Sequence, residues 1–82
     1  MEIDLSQAVA DFENLPVTIK ARVRDVFKRL ERWPSVSGVK RLRGELSGYF
    51  RVRTGDYRVV FAVEEDVIVV VRIGHRSEIY EE

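Results

Sequence analysis

Apolar residues recur at helical spacing in the first half of the chain. Successive members of this stripe lie four, three, one and three residues apart: Ile19, Val23, Val26, Phe27 and Leu30. Pro16 suits the first turn of a helix, because its missing N–H is not needed there. Pro34 disfavours helical dihedral angles in Trp33, the residue before it. The pattern therefore predicts an amphipathic helix that begins at Pro16 and ends near Trp33.

A shorter helix is predicted before this one. Residues 2–5 favour a short strand with Ile3 and Leu5 on one face. The Ser6 hydroxyl is a suitable N-cap, since it can accept a hydrogen bond from an amide of the first helical turn. We expect a helix over residues 7–14, which pairs with the longer helix as a helical hairpin.

From Tyr49 the pattern changes to a period of two residues, which is typical of strands. Gly55-Asp56 is a two-residue turn with glycine first and fits a type II′ hairpin between residues 49–54 and 57–63. Such a loop sets the predicted cross-strand pairs: Thr54–Tyr57, Arg53–Arg58, Val52–Val59, Arg51–Val60 and Phe50–Phe61. One face is then apolar and can pack on the helices.

Two further segments complete the fold prediction. Residues 67–73 (VIVVVRI) are apolar on both faces and predict an interior strand. Residues 39–48 contain two glycines and are interpreted as an irregular basic linker. The predicted class is α+β, with the short first strand and the helical hairpin on one face of a mainly antiparallel sheet of about four strands.

Composition limits the classes of function. We expect one domain over residues 1–82, because the chain is too short for two cores. Cysteine is absent, which excludes disulfides and thiol nucleophiles and is typical of a reducing cytoplasm. No apolar run is long enough for a membrane span, and the first residues do not resemble a signal peptide. We therefore expect a cytoplasmic protein without a membrane partner.

The net charge of zero conceals a basic middle segment. Residues 20–58 hold twelve basic and four acidic side chains, whereas residues 1–19 hold four acidic side chains and no basic one. In the predicted hairpin Arg53 lies opposite Arg58, and such a pair of like charges is destabilising. A phosphate or carboxylate among Arg51, Arg53 and Arg58 would explain them, because guanidinium binds both groups in a bidentate manner. The alternative is that acidic residues of the fold neutralise these arginines.

Other candidate groups lie near the end of the chain. His75 is the single histidine and follows a strand, so it is a candidate general acid or base, although such a histidine is more often structural. Tyr80 is a candidate for stacking on a base or for anchoring the terminus. The sequence contains no glycine-rich phosphate loop or metal-binding motif, and we expect neither a metal nor another cofactor.

Three segments resemble the RelE/ParE superfamily of type II toxin–antitoxin toxins. They are VKRLRG (residues 39–44), GYFRVRTGDYRVVF (48–61) and VRIGHR (71–76), followed by Ile79 and Tyr80. The resemblance implies a small toxin that a protein antitoxin inactivates. RelE-like members cut messenger RNA in the ribosomal A site through attack of a 2′-hydroxyl on the adjacent phosphate. The implied partners are a cognate antitoxin, mRNA and the ribosome, with DNA bound only through the antitoxin.

The resemblance also implies roles for individual residues. Arg58, Arg76, Tyr80 and His75 match positions of the catalytic machinery. The positions expected to bind RNA phosphates are Arg51, Arg53, Lys40, Arg41 and Arg43. RelE-like nucleases often carry lysine where Arg51 and Arg53 stand, and arginine is a poor base because it keeps its proton. ParE-like members instead poison DNA gyrase, and a catalytically degenerate domain that only binds its antitoxin is a further alternative.

Overall fold

The computed structural model describes residues 1–79 and has a mixed, mostly antiparallel sheet. In chain order the elements are β1 (Glu2–Asp4), α1 (Val9–Glu13), α2 (Val17–Leu30), β2 (Val39–Arg41), a 3₁₀ turn (Gly44–Leu46), β3 (Phe50–Thr54), β4 (Tyr57–Glu64) and β5 (Val67–His75). The strand order is β1-β5-β4-β3-β2. Only the pairing of β1 with β5 is parallel. The predicted α+β class is confirmed, but the sheet has five strands and not four.

The additional strand is β2, which lies within the segment that was predicted to be an irregular linker. Val39, Lys40 and Arg41 pair with Val52, Arg51 and Phe50 of β3. The prediction is wrong here because three residues are too few to show a strand period. Their extended conformation depends on hydrogen bonds offered by the free edge of β3, a tertiary effect that local sequence does not reveal.

The hairpin of β3 and β4 has the predicted register. All five predicted cross-strand pairs occur, from Phe50–Phe61 at one end to Thr54–Tyr57 at the turn. Gly55 has a φ of 62°, which fits the first central position of a type II′ turn and explains why glycine stands there. The register therefore also confirms that Arg53 lies directly opposite Arg58.

Strand β5 is an interior strand, as its apolar pattern predicted. It pairs with β4 on one side and with β1 on the other. The register with β4 shifts by one residue, because Val60 pairs with Arg72 and Phe61 pairs with Val70, so Val71 is an extra residue in a β-bulge. Beyond the end of β1, the Ile73 N–H donates to Asp11 Oδ2 at 2.9 Å, which attaches α1 to this edge.

The helices pack on one face of the sheet, which we call the helix face. Val23, Val26 and Leu30 of α2 are buried in the same apolar cluster as Val59 and Phe61 of β4. Trp33 closes one side of this cluster with an edge-on ring contact to Phe61, at 5.6 Å between ring centroids. The apolar stripe of the sequence thus forms the main core.

The opposite face, which carries Arg51, Arg58 and Val60, is called the open face. A second, smaller apolar cluster covers part of it, with Leu42, Val60 and Ile79 buried. Ile79 reaches this face because residues 75–79 turn back after β5, and the Ile79 N–H donates to the His75 carbonyl at 3.1 Å. The open face is therefore partly covered, and its arginines lie beside apolar residues.

The N-terminal segment differs in detail from the prediction. Helix α1 begins at Val9 and has no side-chain cap. The Ser6 N–H instead donates to Asp4 Oδ1 at 2.9 Å, and its hydrogen bonds hold the pKa of the Asp4 carboxyl below the usual value of 3.8. Asp4 thus forms an Asx turn with the Ser6 N–H, in the connection from β1 to α1. Helix α2 follows Pro16 directly and ends at Leu30, three residues before Trp33.

Neither helix within residues 1–79 has the length and apolar character that crossing a membrane requires.

Candidate functional site

Four cations occupy neighbouring positions on the open face. Arg51 and Arg53 lie on β3, and Arg58 lies on β4 opposite Arg53. Lys40 of β2 lies opposite Arg51. We call Lys40, Arg51, Arg53 and Arg58 the basic cluster. Cross-strand neighbours in a sheet are about 5 Å apart at Cβ, so these positive charges repel one another unless an anion lies between them.

Members of the basic cluster differ in exposure. Arg53 is exposed, whereas Arg51 retains 5% and Arg58 retains 9% of its accessible surface. The Arg58 Nη1 donates to the carbonyl oxygens of Gly55 and Tyr57, each at 3.4 Å. Because guanidinium does not lose its proton in proteins, Arg58 is a fixed positive charge held against the hairpin turn. Such a preorganised cation is suited to stabilising negative charge on a phosphate.

Arg76 lies at the tip of the same hairpin. Its backbone N–H donates to the Asp56 carbonyl oxygen at 2.7 Å, which fixes the residue beside the turn. Its Nε is 3.9 Å from Asp56 Oδ1, and both side chains are 65% exposed. An exposed ion pair of this length contributes little to stability, so the Arg76 guanidinium is available to another anion.

Arg22 of α2 also reaches this hairpin, and no sequence pattern predicted it. Its Nη1 lies 3.1 Å from the point that a Cβ atom on Gly55 would occupy. Its proximity to the turn is a tertiary contact between α2 and the β3–β4 hairpin, which a one-dimensional pattern does not contain.

His75 is on the other face of the sheet. It pairs with Tyr57, and the two rings meet edge to face with centroids 5.4 Å apart. The His75 Nδ1 accepts the Ser77 N–H at 3.1 Å and lies 2.9 Å from Ser77 Oγ. This arrangement favours the tautomer with the proton on Nε2. The structure therefore does not bring His75 together with the basic cluster.

Two further predicted RNA-binding residues, Arg41 and Arg43, are not part of the basic cluster. Arg41 lies on the helix face, where its guanidinium carbon is 5.6 Å from the centre of the Phe50 ring. Arg43 is exposed and precedes the 3₁₀ turn. Tyr80 lies outside the described residues. Among residues 1–79, no three His, Asp or Glu side chains are placed to hold a metal ion.

A groove adjoins the basic cluster on the open face, with a volume of ≈ 430 Å³. Seven side chains line it: Glu45, Leu46, Tyr49, Val60, Val71, Arg72 and Ile79. The β-bulge contributes to its shape, since Val71 and Arg72 are consecutive residues and both border it. The groove was not predicted, because its lining comes from four separate parts of the chain.

Comparison with known proteins defines the family. Residues 5–80 match the family model described as ParE toxin of the type II toxin–antitoxin system, parDE. The chain belongs to this toxin family. Toxin RelG of Mycobacterium tuberculosis is 38% identical over 73 residues, which cover 85% of this chain and 83% of RelG. The resemblance to RelE/ParE toxins that the sequence segments indicated is confirmed.

Solved structures of toxins share the fold. A chain in the toxin–antitoxin complex RelBE2 of M. tuberculosis is 33% identical, with a TM-score of 0.78, and the match covers 92% of this chain and 96% of that chain. A chain in the RelB–RelE antitoxin–toxin complex of Methanococcus jannaschii is 25% identical, with a TM-score of 0.75, covering 98% and 95% of the two chains. The five-stranded sheet with its helical hairpin is therefore the fold of this toxin family.

Proposed function

We propose that this toxin cleaves messenger RNA on the ribosome and that a protein antitoxin holds it inactive. The observation that carries the proposal is the cross-strand pair Arg53–Arg58 beside Arg51 on the open face. A protein that needed only solubility would gain from opposite charges at these positions, because like charges in direct opposition destabilise the sheet. A polyanion such as RNA supplies negative charge to this cluster when it binds.

The cluster supports the electrostatic part of the reaction. In the proposed step the 2′-oxygen forms a bond to the adjacent phosphorus and the bond from phosphorus to the 5′-oxygen breaks. The products are a 2′,3′-cyclic phosphate and a 5′-hydroxyl. Negative charge grows on the phosphoryl oxygens in the transition state, and Arg58 is the preorganised cation that stabilises it. Arg76, exposed at the hairpin tip, supplies a second guanidinium from another element.

Proton transfer requires a group other than these arginines, which remain protonated. His75 lies on the helix face with Tyr57, on the side of the sheet opposite the basic cluster. We therefore assign the cleavage mainly to positioning and charge stabilisation by the basic cluster. Tyr80 remains the proposed proton-transfer residue from the sequence resemblance.

The open face also suits the proposed antitoxin. The two related structures named above are complexes of a toxin with its antitoxin. A segment rich in acidic and apolar residues could pair its carboxylates with the basic cluster and pack its apolar side chains on exposed apolar surface of the toxin. Binding of this kind would prevent RNA from reaching Arg58.

The test is cell-free translation of a defined message with mapping of RNA 5′ ends by primer extension. We expect the wild type to produce ribosome-dependent cuts at in-frame A-site codons. Arg58→Ala is expected to lower cleavage by at least a hundredfold, since a lost transition-state donor typically costs 10²–10³ in rate. Arg29→Ala, which removes an exposed arginine of α2, is the charge-matched control.

Because Arg58 is buried, a second variant guards against loss of the fold. Arg53→Ala changes an exposed side chain of the same cluster and is expected to reduce cleavage without reducing the free energy of unfolding. An intact message in the presence of wild-type protein and active ribosomes would contradict the proposal.

A second candidate is inhibition of DNA gyrase, and the name of the matching family model favours it. ParE-like toxins with this activity would leave the message intact and trap gyrase in a cleaved complex with DNA. A gyrase cleavage assay with the same preparations separates the two activities. If both assays are negative, the remaining interpretation is a domain that binds its antitoxin and has lost its chemistry.

A further inference from the structure

We propose that the groove beside the basic cluster is a nucleobase subsite, in which the Tyr49 ring stacks on one base of a single-stranded RNA. The phosphate next to that base would lie on the basic cluster. The inference rests on the proposed function in one respect, namely that the open face binds RNA. It adds a base-binding site to a surface to which so far only phosphate binding has been assigned.

The groove and the basic cluster are neighbours on the sheet. Val60, which is buried in the groove, pairs across the sheet with Arg51. Arg58 lies two residues earlier on the same strand and the same face, which is a distance of roughly 7 Å along β4. A nucleotide whose phosphate contacts the basic cluster, where Arg53 is exposed, therefore has the groove within reach of its base.

The chemistry of the groove suits a flat, amphipathic ligand. Its walls are apolar and include the half-buried aromatic ring of Tyr49. The backbone N–H of Tyr49 donates to the Leu46 carbonyl oxygen at 3.0 Å, which fixes the backbone of this residue. Its rim carries the Glu45 carboxylate and the Arg72 guanidinium, both exposed. Nucleobases have apolar faces that stack on aromatic rings and polar edges that bond to such groups.

An apolar protein side chain fits the same groove less well. It would fill the space between Leu46 and Val71, but it would offer nothing to Glu45 or Arg72. Covering these two charged groups without new hydrogen bonds costs free energy, since a polar group removed from water needs a partner. A base with donors and acceptors on its edge supplies partners for both, which favours RNA as the occupant.

The β-bulge gives independent support. In a regular strand Val71 and Arg72 would point to opposite faces, so only one of them could border the groove. The extra residue lets both line it, one as part of the apolar wall and the other as a polar group at the rim. Bulges of this kind redirect side chains next to functional sites.

The test measures binding of the protein to a fluorescently labelled RNA of nine nucleotides by fluorescence anisotropy at low salt. Every 2′-hydroxyl is replaced by fluorine, so that the RNA cannot be cleaved. A single abasic position is then moved along the oligonucleotide. We expect one abasic position to weaken binding about tenfold, since stacking on an aromatic side chain typically contributes about that much.

Variants at Tyr49 assign the effect to the groove. Tyr49→Leu keeps an apolar side chain but removes the ring. For this variant, we expect the RNA with the abasic site at the sensitive position to bind as tightly as the RNAs with abasic sites elsewhere. In Tyr49→Phe, which keeps the ring, the sensitivity is expected to remain. Urea unfolding of both variants shows whether the small apolar cluster is intact, so that a loss of folding is not mistaken for a loss of stacking.

Two other outcomes would contradict the base subsite, and they differ in what they imply for RNA binding. Binding of the intact RNA that depends on Arg58 but is equally strong for every abasic position would overturn the base subsite and leave the proposed RNA binding in place. The groove would then be open to an apolar side chain of a protein partner. If the intact RNA does not bind at low salt, the proposed RNA-binding function fails and the base subsite fails with it.

Discussion

Gly74 shows how one missing side chain shapes the open face. It pairs with Arg58 in the sheet, and a Cβ atom at this position would lie 3.2 Å from Ile79 Cδ1 and 3.3 Å from Ile79 Cγ1. Both distances are shorter than ordinary van der Waals contact, so glycine leaves the space in which Ile79 packs. Ile79 in turn borders the groove, which connects a single glycine to the shape of the candidate site.

Substitution of Gly74 tests this connection through coupling with Ile79. In the wild-type background Gly74→Ala forces Ile79 to shift, and overpacking of this kind costs about 1 kcal/mol or more. In an Ile79→Ala background the space is empty, and the same substitution is expected to be neutral or stabilising because alanine restricts the unfolded chain. Urea unfolding of the four proteins gives the coupling free energy, expected at about 1 kcal/mol. Additive effects would show that Ile79 does not pack on Gly74.

Strand alternation and turn length explain why part of the site could be predicted from the sequence. The alternation of β3 and the two-residue turn after it were enough to place Arg53 opposite Arg58, because the register follows from loop length. The same alternation, continued from Ile73, puts His75 on the helix face with Tyr57. The sequence interpretation used only the position of His75 along the chain, beside the strand end, and did not consider which face it occupies.

Strands and helices were predictable in proportion to their length and periodicity. Helix α2 and strands β3, β4 and β5 contain repeating patterns that local residues establish, and all four occur. Strand β2 and the N-terminus of α1 depend on partners elsewhere: the edge of β3 for Val39–Arg41, and the Asp4 carboxylate, which takes Ser6 away from a capping role. The β-bulge at Val71 leaves no signal in a run of apolar residues, so the groove it shapes was beyond prediction.

The cross-strand pair Arg53–Arg58 allows the stability of the protein to be tested separately from its RNA binding. Arg53→Glu replaces a repulsive cross-strand pair with an attractive one and is expected to raise the free energy of unfolding by about 0.2–1 kcal/mol at low salt. The same change removes a cation from the basic cluster and is expected to weaken RNA binding. Arg53→Gln, which removes the repulsion without adding attraction, is the matched control for stability.

Two measurements check whether Arg53→Glu raises stability while it weakens RNA binding. Urea unfolding at low ionic strength gives the change in stability, and fluorescence anisotropy gives the change in RNA affinity. Addition of salt is expected to reduce the stability difference between Arg53→Glu and the wild type, because Arg53 is exposed and its interactions are screened. A variant that is less stable than the wild type at low salt would contradict repulsion between Arg53 and Arg58, and would imply that something within the fold already neutralises them.

Charge along the chain is segregated although the total is zero. Residues 20–58 carry an excess of basic side chains, and residues 59–82 carry two basic and six acidic ones. The basic excess includes α2 on one side of the sheet and the basic cluster on the other, so the protein presents a positive field in spite of its net charge. Local fields of this kind attract a polyanion, because distant charges are screened beyond about 10 Å at moderate ionic strength.

The salt dependence of RNA binding separates the charged part of the surface from the groove. Each phosphate that a single strand pairs with a cation contributes about −0.7 to the slope of log affinity against log salt. Phosphate contacts to three of the four cations predict a slope of about −2, or roughly a twentyfold loss of affinity between 50 and 200 mM salt. Arg53→Ala is expected to make the slope shallower by about 0.7, because one contact is lost.

Tyr49→Leu is expected to lower the affinity at every salt concentration and to leave the slope unchanged, since stacking releases no counterions. Equal slopes for wild type and Arg53→Ala would mean that no RNA phosphate contacts Arg53.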